Sequence, residues 1–210
     1  MQRLDISPAY NNELNATEKG WRVMLTLNSE LEWSGVGSIC TDQKAKTYVS
    51  DAFNIAYGQP TKELLPAGTA LYKFNGFNSL ARSPITDDSP LSPWWSPVQP
   101  FRYDGGLRQR MLIAKQNGVS MREWGRLTSV IKENWSSLEY LLEITLKVPV
   151  YAWFGGFKGM SRIDNGMTSR RNITLEQKGR SSMLPGGATQ FYIPNLTVGH
   201  ISSHQFSILK

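Results

Sequence analysis

Cysteine occurs once, at Cys40, which excludes an internal disulfide and any zinc site built on several thiolates. Histidine is nearly as scarce: His200 and His204 both fall within the last eleven residues, so a Ser-His or Cys-His nucleophile system has no place to form. Four residues apart, they would share a face of a helix, but Ile201, Ser202, Ser203, Gln205, Phe206 and Ser207 favour an extended segment, and we read a solvated tail rather than a metal site. No apolar run approaches the roughly 20 residues that cross a bilayer, which speaks against membrane insertion. The first residues, Met-Gln-Arg-Leu-Asp-Ile-Ser-Pro, lack the apolar core of a secretory signal. Also missing are a Gly-x-Gly-x-x-Gly turn after a strand, a phosphate-binding Gly-x-x-x-x-Gly-Lys-Ser/Thr loop and a Gly-x-Ser-x-Gly elbow. Glu123, Glu133, Glu139 and Glu143 sit in or beside expected helices, where solvated faces account for them better than paired-carboxylate hydrolysis does.

What remains fits an ordinary globular chain. Its 210 residues suffice for one domain, or one with a small subdomain, and 40% apolar with 19% charged residues is not a disordered composition. Net charge is +6, with the densest basic cluster at Arg162, Arg170, Arg171, Lys178 and Arg180. In a Gly, Asn and Ser-rich stretch such a cluster reads first as a solvated loop; the alternative is a surface for nucleic acid or an anionic small molecule.

Along the chain, Trp21–Leu27 alternates as a strand would, although the run is brief enough for a short helix. Thr41–Tyr57 has helical spacing, with Tyr48, Ala52, Ile55 and Ala56 on one face, Thr41 as cap, and Gly58 and Pro60 at the end. Ala70–Phe74 is an apolar strand, followed from Asn75 to Gly106 by about thirty residues without a sustained period, a length that is usually functional. At the centre of that stretch stands Ser92-Pro-Trp-Trp-Ser-Pro97, either a hydrophobic plug or an aromatic wall for a planar ligand. Leu107–Asn117 reads as a helix stopped by Gly118, and Ser120-Met-Arg-Glu123 as a capping box opening a second helix to about Trp135, with Trp124, Leu127, Ile131 and Trp135 as its core stripe. Leu138–Leu146 is helix or strand. Val148–Phe154 is a strand ended by Gly155-Gly156, and a short strand is expected at Asn172–Leu175.

The last apolar run, Leu184–Leu196, opens on a Pro185-Gly186-Gly187 turn and alternates until Pro194, with Ala188, Gln190 and Tyr192 on one face. Lys73 and Gln190 are the polar residues admitted to otherwise apolar strands, so each is an edge position or part of a site. The order of elements predicts an α+β fold, with small mixed or antiparallel sheets and a helical segment; the apolar segments 70–74, 148–154 and 184–196 are read as lining one cleft, and the chain as an N-terminal helix/strand region at 1–66 with a ligand-binding region at 67–210, or as one continuous domain.

Together, Leu71-Tyr72-Lys73-Phe74, Ser92-Pro-Trp-Trp-Ser96, the strand ending Tyr151-x-x-x-Gly155, and Gly186-Gly187-x-x-Gln190-x-x-Ile193-Pro-Asn-Leu196 resemble the layout of the ADP-ribosyltransferase superfamily, in particular the short toxin domains that bacteria deliver through type VI secretion. The resemblance spans residues 68–197. It implies an ADP-ribosyltransferase-like fold that takes NAD as substrate in a cleft between two small sheets. Gln190 stands where the family carries a Glu at the ribose, and Lys73 where its arginine class carries Arg. Carried over, Gln190 and Lys73 are the catalytic candidates, Lys73 also meeting the phosphates. Tyr72, Trp94, Trp95 and Tyr151 would pack on nicotinamide or adenine, with Ser92 or Ser96 supporting by hydrogen bonds.

The implied function is an antibacterial effector, made in a bacterial cytoplasm and secreted without a signal peptide into the cytoplasm of a target cell. It would split NAD by hydrolysis or by transfer to a protein or nucleic acid, with a cognate immunity protein as partner. The alternative from composition is a non-enzymatic basic module or inhibitor that meets nucleic acid or an acidic protein.

Overall fold

A computed structural model describes residues 26–76, 85–163 and 182–208. The expected strand at Asn172–Leu175, most of the one at Trp21–Leu27, and Arg170, Arg171, Lys178 and Arg180 lie outside the described residues.

The fold is α+β and dominated by antiparallel pairing. Strands β3 (Thr61–Leu65), β4 (Ala70–Asn75), β5 (Trp94–Pro97), β6 (Tyr140–Leu146), β7 (Val150–Gly156), β10 (Thr189–Tyr192) and β11 (Ile201–Ile208) form one sheet in the order β11-β6-β4-β5-β10-β7-β3. Two further two-stranded sheets pair β1 (Cys40–Asp42) with β2 (Thr47–Tyr48), and β8 (Met160–Ser161) with β9 (Met183–Leu184). The helices are α1 (Trp33–Val36), α2 (Gly106–Gln116) and α3 (Met121–Thr128). Among the described residues no helix is long and apolar enough to cross a membrane.

Alternation along β4 and β6 gives the sheet two apolar sides. Leu71, Leu142 and Ile144 enter a large core with Trp95, Phe154 and Phe191. Tyr72, Phe74 and Leu141 enter a second core with Leu107 and Leu138, on the side where α2 and α3 lie. Phe74 is seated on the bare backbone of Gly125 in α3, where an added Cβ would stand 2.5 Å from its ring. A third cluster, Val36, Val49, Phe53, Trp153 and Tyr192, anchors the segment before β3 to β7 and β10. Each fully buried Leu or Phe contributes about 1.5–3 kcal/mol, so these clusters supply most of what offsets chain entropy.

Several sequence expectations are corrected. Thr41–Tyr57 is not a helix but the β1–β2 hairpin followed by two 3₁₀ turns, Val49–Ala52 and Ile55–Tyr57. Asp42 Oδ1 accepts from the amides of Lys44 and Ala45, which closes a turn, and Thr41 and Thr47 bond across the hairpin. The second helix ends at Thr128 rather than near Trp135, because Val130 takes φ 52° and the Arg126 guanidinium captures the carbonyls of Ile131 (3.0 Å) and Ser136 (3.0 Å). Trp135 is 44% exposed and no part of a core stripe.

Arg162 is no solvated loop residue. It is 2% exposed and pairs with Glu123 (2.9 Å) and Glu133 (2.8 Å), while Glu133 also pairs with Arg126 (3.3 Å). Those two glutamates are therefore not solvated faces either.

Candidate functional site

The long stretch between β4 and α2 contains a central strand. Trp94 and Trp95 of β5 pair with Tyr192 and Phe191 of β10, whereas Ser96 and Pro97 pair with Tyr72 and Leu71 of β4. The ladder thus passes from one neighbour to the other along four residues, a fork in the pairing of β5. Pro97 is tolerated because its missing N–H is not needed on a side where pairing has stopped. Lys73 and Gln190 stand on β4 and β10, both interior strands, which removes the edge explanation for either.

A buried polar clamp holds the fork. Ser96 Oγ donates to Thr189 O (2.9 Å) across the place where the β5–β10 ladder has ended. Asp104, in the turn before α2, accepts through Oδ1 from Gly106 N (2.8 Å) and through Oδ2 from Thr189 N (3.2 Å), Thr189 Oγ1 (2.5 Å) and the guanidinium of Arg110. Arg110 in turn donates to the Tyr72 hydroxyl (2.5 Å), so β4, β10 and α2 are tied at one point. Burial pushes the Tyr72 hydroxyl up to about 12, partly countered by the Arg110 charge. Gly106 makes the close approach of α2 workable: it takes φ 75°, and a Cβ there would collide with Val98 O.

Sequence reasoning passed over Asp104 and Arg110. The available signal was Arg110 on the Leu107, Ala114 face of α2, a charge on an otherwise apolar stripe; all three are buried.

Gln190 is 2% exposed and its Nε2 donates to Ala52 O (2.8 Å). Its Oε1 accepts from none of the described residues, although the fully enclosed unpartnered side-chain atoms are Trp124 Nε1, Ser129 Oγ and Trp153 Nε1 instead. Opposite it on β7 stands Gly155, whose missing side chain admits the Phe53 ring; a Cβ would lie 2.7 Å from Phe53 Cδ1. Trp94 packs on Tyr192 (4.6 Å between centroids) and Phe53 (5.9 Å), which completes an aromatic frame on the Gln190 side of β10.

Lys73 is half-buried, with its Nζ 5.8 Å from the centre of the Trp95 ring. Among the described residues no hydrogen-bond acceptor or carboxylate meets it, and burial lowers its ammonium from 10.5 to about 8.

The remaining expected contacts divide. Tyr72, Trp95 and Ser96 are buried, Tyr72 committed to Arg110, Trp95 Nε1 donating to Ser92 O (2.6 Å), and Ser96 to Thr189. Ser92 Oγ accepts from Trp94 N (3.4 Å) and shapes the start of β5. Tyr151 lies under Lys62 (5.1 Å), four residues from Gly155 and so about 13 Å along β7 from the Gln190 row. Alternation sets Lys73 with Trp95, and Gln190 with Tyr192 and Trp94, on opposite sides of the strands flanking the fork. His200 Nδ1 accepts from Thr197 N (3.0 Å), and His204 is exposed on β11.

No protein-family model matches the chain, and no curated protein matches it in sequence. Among solved structures, that of Tne2 in complex with Tni2 is similar over 72% of this chain and 92% of that chain, with a TM-score of 0.39 and 10% identity. A likeness at that level fixes neither family nor activity.

Proposed function

We propose that the protein is an antibacterial effector that breaks the bond between nicotinamide and ribose in NAD, passing ADP-ribose to water or to a macromolecular acceptor. The observation that carries this is adjacency. The segments around Lys73, Ser92–Ser96 and Gln190, far apart in sequence, occupy the consecutive strands β4, β5 and β10, and the sheet forks between them. In this reading the fork takes the place of the cleft between two small sheets that an ADP-ribosyltransferase-like fold would have.

In this proposal the Gln190 Oε1, held by the Nε2 contact to Ala52, accepts from a ribose hydroxyl and orients the sugar. Nicotinamide departs with the bonding pair, and the resulting oxocarbenium-like centre at the ribose carbon is taken by water or an acceptor nucleophile, which then loses a proton. A neutral amide stabilises that centre less than a carboxylate would, so orientation carries more of the rate here. Lys73, which has no carboxylate partner among the described residues, meets the pyrophosphate as a point charge. Because Lys73 and Gln190 face opposite sides of these strands, a dinucleotide touching both must cross at the fork where β5 changes partner from β10 to β4. Trp94 and the Phe53 ring are the aromatic surface beside the sugar, and the clamp around Asp104 keeps the fork rigid. An effector of this kind requires a cognate immunity protein in the cell that makes it.

Expression in the cytoplasm of a bacterial host lacking an antidote tests this. Wild type is expected to kill, and Gln190→Ala and Lys73→Ala to relieve killing at equal protein level. Undiminished killing by both variants removes these residues from the mechanism.

A further inference from the structure

The two ends of the seven-stranded sheet are built differently. At one end β3 is five residues long, lies between Pro60 and Pro66, and carries Lys62 and Glu63. Lys62 Nζ donates to Ser29 O (2.9 Å) and Leu31 O (2.6 Å), tying a loop beside that edge. Short length, proline and charge are the ordinary means of keeping an edge from pairing with another chain.

At the other end β11 is eight residues long and contains no Pro, Asp, Glu, Lys or Arg. Its inner edge pairs with β6 from Ile201↔Leu146 to Ile208↔Tyr140, and among the described residues nothing pairs with its outer edge. Ser202, Ser203, His204, Gln205 and Ser207 are exposed.

We propose that the outer edge of β11 is a self-association edge that takes β11 of a second copy of this chain as an antiparallel neighbour, joining two sheets into one. A two-fold antiparallel pair sets one residue on the axis against its own copy and opposes residues equally spaced to either side. Most edges fail this because like charges meet, which destabilises a cross-strand pair. This strand does not. The proposed register sets Gln205 on the axis, so that Ser203 faces Ser207 of the second copy. The Ser203–Ser207 pairs and the Gln205 pair on the axis carry no charge and can donate and accept. The strand offers no charge to an acidic or basic partner, which is what favours a second copy over either.

Sedimentation velocity on the whole chain at neutral pH, from micromolar to sub-millimolar concentration, reads the result. Wild type is expected to move from one to two chain masses. Gln205→Lys and Ser203→Lys, which place lysines at exposed positions on the edge, should weaken association at least tenfold with an unchanged thermal melt. Independently of how those variants fold, Gln205→Cys in a Cys40→Ser background should oxidise to a covalent dimer, because the two-fold axis sets position 205 against its own copy, while Ser50→Cys in the same background stays monomeric. A wild type that remains monomeric throughout, lysine variants that associate like wild type, or no covalent dimer at position 205 would each overturn the proposal.

Discussion

Replacing Lys73 with Met should make the protein more stable and less active. The ammonium is half-buried over Trp95 with no carboxylate partner among the described residues, and burial lowers it from 10.5 to about 8. At 1.36 kcal/mol per pH unit that lowering corresponds to about 3 kcal/mol of lost preference for the charged form, an upper value for what the charge costs the fold at neutral pH. Met keeps the aliphatic stem and removes the charge, so Lys73→Met should gain about 1–3 kcal/mol at pH 7. Between pH 8 and 10.5 the unfolded chain holds this proton more tightly than the folded one, so wild-type stability rises with pH through that window, with a limiting slope of about 1.4 kcal/mol per pH unit. The rise should be absent in Lys73→Met. Tyr72 acts in the opposite sense: its hydroxyl is raised from 10.0 to about 12, so its share of stability is intact below pH 10 and lost as pH climbs toward 12. Urea unfolding of both proteins at each pH unit from 7 to 10 is the assay. A Lys73→Met protein less stable than wild type at pH 7, or equal slopes in the two, would refute the reasoning. A destabilising residue on an interior strand is what a functional role leaves behind, so the same variant should lose NAD turnover, chiefly through weaker binding.

The clamp and the Gln190 row give sharper losses. Asp104→Asn leaves the buried Arg110 without its counter-charge and should cost about 3–5 kcal/mol in urea unfolding; Arg110→Met in the same chain should recover part of it, and additive losses would contradict a shared clamp. Gly155→Ala sets a methyl 2.7 Å from Phe53 Cδ1, next to the residue whose carbonyl holds Gln190. It should cost about 1–3 kcal/mol and lower turnover more than substrate binding, measured as kcat against KM; an unchanged kcat would separate Phe53 from the site.

The sequence carried the fold where local rules and alternation decide it. The apolar strands at 70–75, 150–156 and 189–192, the helix at 106–116 and the Ser120 cap, whose Oγ accepts from Glu123 N (3.2 Å), were all legible. It failed where tertiary partners override the pattern. Tyr48 and Ile55 imitate an apolar helical face but are 41% and 64% exposed, while Val49 and Phe53 are the buried pair. β5 was hidden by Pro93 and Pro97, which read as loop because nothing local reveals that the sheet forks there. Arg162 looked like a solvated cation because the glutamates that bury it lie 39 and 29 residues earlier. Gln190 and Lys73 stood out as polar residues in apolar strands, whereas Asp104 and Arg110 emerged only once α2 was seen packed against Thr189.

NAD consumption by the purified protein, alone and with bacterial lysate, beside Gln190→Ala, tests the central claim most directly. Wild type is expected to consume NAD, and Gln190→Ala to do so at least a hundredfold more slowly. Loss without lysate identifies hydrolysis, and loss only with lysate, with labelled product, identifies transfer. Intact NAD under both conditions, or a Gln190→Ala protein as fast as wild type, would contradict it.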